Sequence, residues 1–207
     1  LGEEYIETTK CLNRVTSKNI YVHSYYPLGN NAAFDGYAIK SSDTNKLNKK
    51  IYQKFRIIGS IAAGNKPIKK KIKKFETVEI MTGALIPRSF DTIVPIEQIN
   101  FHTDKKNVRY ILINKRIPKF EHVRFKGSDY KKGDLLISKG TILQPKHILA
   151  LKTLGIKKIK VKKKPNILFF STGNEITNKN VVSDWEVRNS NSYYINSLNQ
   201  NFLFNFK

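Results

Sequence analysis

One cysteine, one methionine and one tryptophan occur in 207 residues. The lone thiol, Cys11 between Lys10 and Leu12, excludes an internal disulfide and a cysteine metal cluster. It reads as a small buried hydrophobe in a reducing cytoplasm. Acidic residues are also scarce, 16 Asp and Glu against 38 Lys and Arg, which leaves a net charge of +22. No apolar run reaches the roughly 18 residues that a membrane-spanning helix needs. Leu1-Gly2-Glu3-Glu4 has neither the basic nor the apolar region of a secretory signal. A cytoplasmic chain without a membrane association is expected. The histidines at 23, 102, 122 and 147 show no metal-ligand spacing and read as structural or surface residues.

What is present is lysine, in runs such as Lys69 to Lys74 and Lys157 to Lys164. Ile and Val alternate with these lysines as buried positions do in a strand with one wet face. Asparagine and isoleucine are abundant alongside, so AT-rich codon usage accounts for the charge without any ligand. A basic surface for small anionic ligands is the second reading, and nucleic acid is not an expected partner, because no zinc-finger or ribonucleoprotein motif accompanies the charge. Apolar residues make up 40% of the chain, enough for one large domain or two small ones.

The first 20 residues read as a helix, with Ile6, Cys11, Leu12 and Val15 roughly on one face. From Tyr21 to about Gly133 the pattern is of short strands: 55–58, 77–80, 92–94, 108–113 and 122–125, punctuated by Gly, Pro, Asn and Asp as in a compact β module. Pro145 opens a helix over 146–154 that stops at Gly155. A strand at 159–161 follows it. Asn166 to Phe170 reads as a strand buried on both faces, and Ser192 to Asn201 as a crossover helix, together the opening of an α/β domain. One strand and one helix cannot bury a sheet, so the chain reads as truncated at its carboxyl end.

Four segments could carry chemistry. In Asn31-Ala32-Ala33-Phe34-Asp35-Gly36-Tyr37-Ala38-Ile39, a carboxylate stands beside a glycine in an apolar run. Asp35-Gly36 reads either as a hairpin turn or as a reactive acid where the backbone approaches a ligand. The turn Met81-Thr82-Gly83-Ala84 offers a hydroxyl and an open amide to an oxyanion. Gly127-Ser128-Asp129 reads first as a solvated turn, and otherwise as an acid that neighbouring Arg124 and Lys126 would hold ionised for a cation or a substrate hydroxyl. Ser171-Thr172-Gly173, after a strand, resembles a phosphate or pterin cradle. Glu175 beside it could accept hydrogen bonds from a ring or stand exposed at a helix start.

In order, these segments resemble the molybdopterin molybdenumtransferase family, which includes the gephyrin E domain. Five blocks carry the resemblance: 31–39; Gly59-Ser60-Ile61-Ala62-Ala63-Gly64; 80–87 with 91–97; Val123 to Asp129 with Lys132-Gly133-Asp134; and Phe170-Ser171-Thr172-Gly173-Asn174-Glu175. Asn189-Ser190-Asn191 falls where the family has an Asp, a small residue and an Asn. The chain departs from the family at Ala32 for a serine, Phe34 for a methionine, Ser128 for a glutamate, and Asn174 and Asn189 for aspartates. The last two losses weaken any cation site near them, because a neutral amide supplies no charge to a hard divalent ion.

The resemblance implies a mixed α and β, multidomain protein. Residues 1–21 with 134–164 would form an α/β linking domain, 22–133 an inserted β-rich domain, and 165–207 the truncated start of a molybdopterin-binding α/β domain. It further implies a molybdotransferase: molybdate and adenylylated molybdopterin as substrates, Mg2+ as cofactor, AMP as product and a homodimer as the working form. Asp35, Thr82 and Asp129 match the family's catalytic positions, Asp35 also as a magnesium ligand. Ser171, Thr172, Gly173, Glu175 and Asn191 match its pterin-binding positions. The reading from a different class is a non-catalytic basic module that binds RNA or another polyanion, or a dimeric scaffold.

Overall fold

The computed structural model describes residues 2–48, 52–68, 71–199 and 204–206. The chain forms two units, one from residues 1–23 and 133–207 and the other from 24–132. The first unit begins with strands β1 (Glu3–Glu7) and β2 (Ile20–Tyr21). The second holds β3 (Asn31–Ala32), β4 (Gly36–Ile39), β5 (Gln53–Ile61), β6 (Glu76–Ile80), β7 (Thr92–Pro95), β8 (Asn100–Thr103), β9 (Arg109–Ile113) and β10 (Val123–Arg124). The chain re-enters the first unit with β11 (Leu135–Ile137), helix α1 (Pro145–Thr153) and β12 (Lys158–Lys162). It continues through β13 (Asn166–Ile167), β14 (Ile176–Thr177), β15 (Val187–Arg188), helix α2 (Asn191–Ser197) and β16 (Asn205–Phe206).

In the second unit six strands pair in the order β7-β4-β6-β5-β9-β8. All pairs are antiparallel except β5 with β6. Period-2 alternation sorts the side chains into two cores. Tyr37 and Ile39 of β4 join Phe55, Val94, Ile111 and Ile113 on one face, while Ala38 joins Ile61, Val78, Ile80 and Ile93 on the other. Burial of each of these isoleucines stabilises by about 2 kcal/mol. The register between β5 and β6 slips by one residue between Ile57 and Ser60, a bulge at Ile58-Gly59.

Asp35-Gly36 does not make the hairpin turn that its composition allows. β3 pairs with β10, whereas β4 pairs with β6 and β7, so the residues between β3 and β4 join two different pairings. The glycine answers a close approach instead: a Cβ at Gly36 would lie 2.1 Å from the Val94 carbonyl oxygen. The lysine run around 69–74 also departs from its strand reading. Lys69 and Lys70 lie outside the described residues, and 71–74 form no strand.

In the first unit the expected amino-terminal helix is a strand. β1 lies antiparallel to β12 with Glu3 opposite Lys162 and Glu7 opposite Lys158. Glu3 meets lysines of β12, bonding Lys160 at 2.7 Å, while Glu4 binds Arg14, and such cross-strand partners are invisible to a local helical pattern. Leu12, assigned to the buried face, is 46% exposed. Cys11 is fully buried with Leu143, Leu151, Ile159 and Val161, and its thiol bonds the Thr8 carbonyl oxygen at 3.0 Å. Burial pushes that thiol up, away from thiolate chemistry. Helix α1 starts on Pro145, and the chain turns left-handed at Gly155 with φ of +71°, as the proline and glycine predict.

The expected strand 166–170 is regular only over β13, which pairs in parallel with β16. Leu168 and Phe170 are 61% and 77% exposed rather than covered on both faces, because no further strand or helix among the described residues packs over them. The expected helix 192–201 is α2, Asn191–Ser197, and positions 200 and 201 lie outside the described residues. No described helix is long and apolar enough to cross a membrane.

Candidate functional site

The sheet of the second unit brings Asp35 and Thr82 into contact, although 47 positions separate them. Antiparallel pairing sets Gly36 opposite Ile80, so the first residue before β4 faces the turn that leaves β6. That turn closes with the Ala84 amide on the Met81 carbonyl at 3.0 Å. Gly83, at φ of +79°, takes the third position, as a type II turn requires. In such a turn the amide of the second residue points outward, and here it is Thr82 that presents it.

Thr82 spends both donors on one atom. Its amide reaches Asp35 Oδ1 at 2.6 Å and its hydroxyl reaches the same oxygen at 2.7 Å. The amide expected to stay open for an oxyanion is therefore already occupied, and the anion it holds is the side chain of Asp35. The two bonds, the amide's first, hold the Asp35 carboxyl below the usual aspartate range although it is exposed. The Asp35 carbonyl accepts from the Ile96 amide at 3.1 Å, which pins the residue at the edge of β7. Asp35 Oδ2 has no protein partner among the described residues.

Asn31 organises the neighbourhood. Its Nδ2 donates to the Gly83 carbonyl at 2.6 Å, while the Gly83 amide returns to the Ala32 carbonyl at 2.9 Å, so β3 clamps the turn from one side. Asn31 Oδ1 is buried with no partner. Across the β3–β10 pair Asn31 stands opposite Arg124, and the Arg124 guanidinium binds Asp129 Oδ2. Asp129 Oδ1 accepts from the Ser128 hydroxyl at 2.9 Å. Arg124 first and Ser128 second hold the Asp129 carboxyl below its ordinary value. Lys126, expected to help, points elsewhere: its ammonium lies 4.9 Å from the Tyr25 ring centre. Asp35 and Thr82 thus touch directly, whereas Asp129 bonds Arg124 and Ser128 rather than either of them. Sequence reading gave Asn31 no role of its own, and the signal available was an amide beside two alanines at the head of an apolar run.

The second set of expected residues lies in the first unit. Parallel pairing of β14 with β15 lays the loop 171–175 beside 189–191. Ser171 Oγ donates to Asn189 Oδ1 at 3.0 Å, and Ser192 Oγ donates to the same oxygen at 3.0 Å. Asn191 is the first residue of α2. Gly173 has φ of +139°, and a Cβ there would lie 2.6 Å from both Glu175 carboxylate oxygens, so Glu175 folds back over the glycine. Thr172 sits in the same loop. Asn189 serves this cluster as a hydrogen-bond acceptor, a role an aspartate would fill with a charge added.

Magnesium takes oxygen donors and is commonly held by one or two carboxylates together with substrate phosphates. Among the described residues no group of three His, Cys, Asp or Glu could hold a metal unaided. The unpartnered Oδ2 of an ionised Asp35 fits magnesium in the substrate-assisted mode only.

Comparison with known proteins places these features. A molybdopterin molybdenumtransferase of Staphylococcus aureus is 33% identical over 190 residues, covering 91% of this chain and 44% of its own length. The Bacillus subtilis protein of the same name is 28% identical over 190 residues, with the same shares. The crystal structure of the molybdopterin biosynthesis MoeA protein from Pyrococcus horikoshii superposes with a TM-score of 0.88 at 31% identity, covering 99% of this chain and 51% of that one. The chain thus spans about half the length of the relatives it matches. Residues 1–155 match the MoeA N-terminal region, domains I and II, and the chain belongs to that family of molybdenum cofactor biosynthesis.

Proposed function

We propose that this chain contributes the magnesium- and anhydride-handling part of a molybdopterin molybdenumtransferase, acting on adenylylated molybdopterin and molybdate within a homodimer. The observation that carries the reading is the double hydrogen bond from Thr82 to a single oxygen of Asp35. It keeps the carboxylate ionised, fixes its rotamer and leaves Oδ2 free for a cation. Magnesium held by Asp35 would neutralise the charge of the substrate's phosphoanhydride as AMP leaves and molybdate is taken up by the dithiolene. Thr82 orients Asp35, and its hydroxyl oxygen retains lone pairs for a water or a substrate hydroxyl. Asp129, kept ionised by Arg124, offers a second acceptor.

In this reading residues 1–21 with 134–164 form the linking domain and 22–133 the inserted domain. Residues 165–207 begin the pterin-binding domain, where Ser171, Thr172, Gly173, Glu175 and Asn191 contact the substrate. The inserted domain of one subunit serves the pterin domain of the other.

The test is AMP release from adenylylated molybdopterin with molybdate, measured on this protein with magnesium and with the metal chelated. Asp35→Asn keeps an oxygen for Thr82 and removes the charge. It is expected to lower release by on the order of a hundredfold while leaving the melting temperature in place. Release that is indifferent to chelation, or unchanged in Asp35→Asn, overturns the assignment.

A further inference from the structure

The second unit holds a cleft of about 1030 Å³ whose lining includes none of Asp35, Thr82 and Asp129. Four cations reach it: Lys40, Arg88, Lys119 and Lys126. One acid does too, Asp91, but both of its oxygens are spent on Ser41, Oδ1 on the amide at 2.7 Å and Oδ2 on the hydroxyl at 3.0 Å. Among the described residues none of the four cations forms an ion pair. Lys119 and Lys126 instead rest over the rings of Phe120 and Tyr25, at 4.7 Å and 4.9 Å. Unpaired cations are common in this chain, and what marks these four is that they converge on one cleft.

The lining between the cations is apolar. Leu28, Ile68, Leu85, Phe90 and Phe120 contribute to it, and Leu28 is 73% exposed and Phe120 44% exposed. A bare inorganic anion would satisfy the cations and leave these side chains wet. A neutral apolar molecule would cover them and leave four unpaired charges at its edge. The volume suits a whole small-molecule ligand, for which pockets of about 300–1,000 Å³ are usual.

We infer that this cleft is a binding site for an organic phosphate, a small molecule with a flat apolar body and a phosphate monoester group. The apolar body sits against Leu28, Leu85 and Phe120, and the phosphate is met by Arg88 and Lys119, an arginine fork and a lysine point charge being complementary donors to a dianion. The site is separate from the acid pair of the proposed reaction and does not depend on it.

The probe is 1-naphthyl phosphate, with 1-naphthol and inorganic phosphate as its two halves, titrated into the protein calorimetrically. Saturable binding at one per chain is expected, with each half at least about tenfold weaker than the whole, since charge-assisted hydrogen bonds and apolar burial both contribute. The double variant Arg88→Ala with Lys119→Ala should weaken naphthyl phosphate at least about tenfold. Lys105→Ala with Lys106→Ala, which removes the same charge elsewhere on this unit, should leave it unchanged. Leu28→Glu, on an exposed side chain, gives an independent loss of both apolar contact and charge balance. Equal weakening by the two double variants, naphthol binding as tightly as its phosphate, or no saturable binding of naphthyl phosphate would each overturn the site.

Discussion

Asp35 Oδ1 accepts both hydrogen bonds that Thr82 can give, from the amide at 2.6 Å and from the hydroxyl at 2.7 Å. The folded carboxyl is thereby held below its ordinary 3.8. A depressed acid stabilises the fold above that ordinary value, and the contribution fades as pH falls through the folded value. Thr82→Val keeps the amide and the shape but removes the hydroxyl, so the Asp35 titration should move upward, toward its ordinary value. Carbon-detected NMR of the side-chain carboxyl reads this directly, and an unmoved midpoint would mean that the amide alone sets the ionisation.

Gly36 fixes where Asp35 stands. A methyl at this position would lie 2.1 Å from the Val94 carbonyl oxygen and 3.0 Å from the Pro95 Cα, both backbone atoms of β7 that cannot step aside singly. Gly36→Ala is expected to destabilise the protein by about 3 kcal/mol through displacement of β7 from β4. Urea denaturation measures it, and a loss below about 0.5 kcal/mol would show that the β4–β7 pair opens freely.

Much of the second unit was legible because its strands obey a local rule. Ile57, Val78, Ile93 and Ile111 sit in alternating or short apolar runs between turn residues, and each lies in a strand. Helix α1 was legible for the same reason, with Pro145 and Gly155 marking its ends. Strand β1 was not, because Glu3 and Glu7 take their meaning from lysines more than 150 positions away. The site shows the same division. Asp35, Thr82 and Asp129 stood out by residue type and by resemblance, but nothing local says that the Thr82 amide is consumed by Asp35. That follows from the β4–β6 register, which is a long-range fact. The cleft at Arg88 and Lys119 had no sequence signal, since cations are everywhere in this chain and only the convergence of four of them on one apolar-lined cleft sets these apart.

The Arg124–Asp129 pair invites a separate test. Arg124 is the principal cause of Asp129's lowered titration, with Ser128 second. Arg124→Gln should raise the Asp129 midpoint more than Ser128→Ala does. Both groups are partly solvated, at 48% and 35% side-chain exposure, so the melting temperature should change little. A reversed order of the two midpoint shifts would place the hydroxyl, not the guanidinium, in control of Asp129.

His147 gives helix α1 a sensitivity to acid. The Gln144 amide donates to His147 Nδ1 at 3.0 Å while the His147 amide returns to the Gln144 carbonyl at 2.9 Å, a reciprocal closure of the first turn. Nδ1 can accept only when it carries no proton, and an imidazolium there would also face the positive end of the helix dipole. Burial, with Lys146 second, lowers the histidine below its ordinary 6.5. The neutral form is thus the one the fold prefers: its contribution is complete above pH 6.5 and is lost as pH falls through the lower folded value. His147→Ala should cost about 0.5–1 kcal/mol at pH 8, the worth of a helix cap. The difference from the unaltered protein should shrink steadily as the pH is lowered below 6. Paired thermal melts across that range decide it, and a gap that stays constant with pH would show that His147 supports the helix by packing rather than through Nδ1.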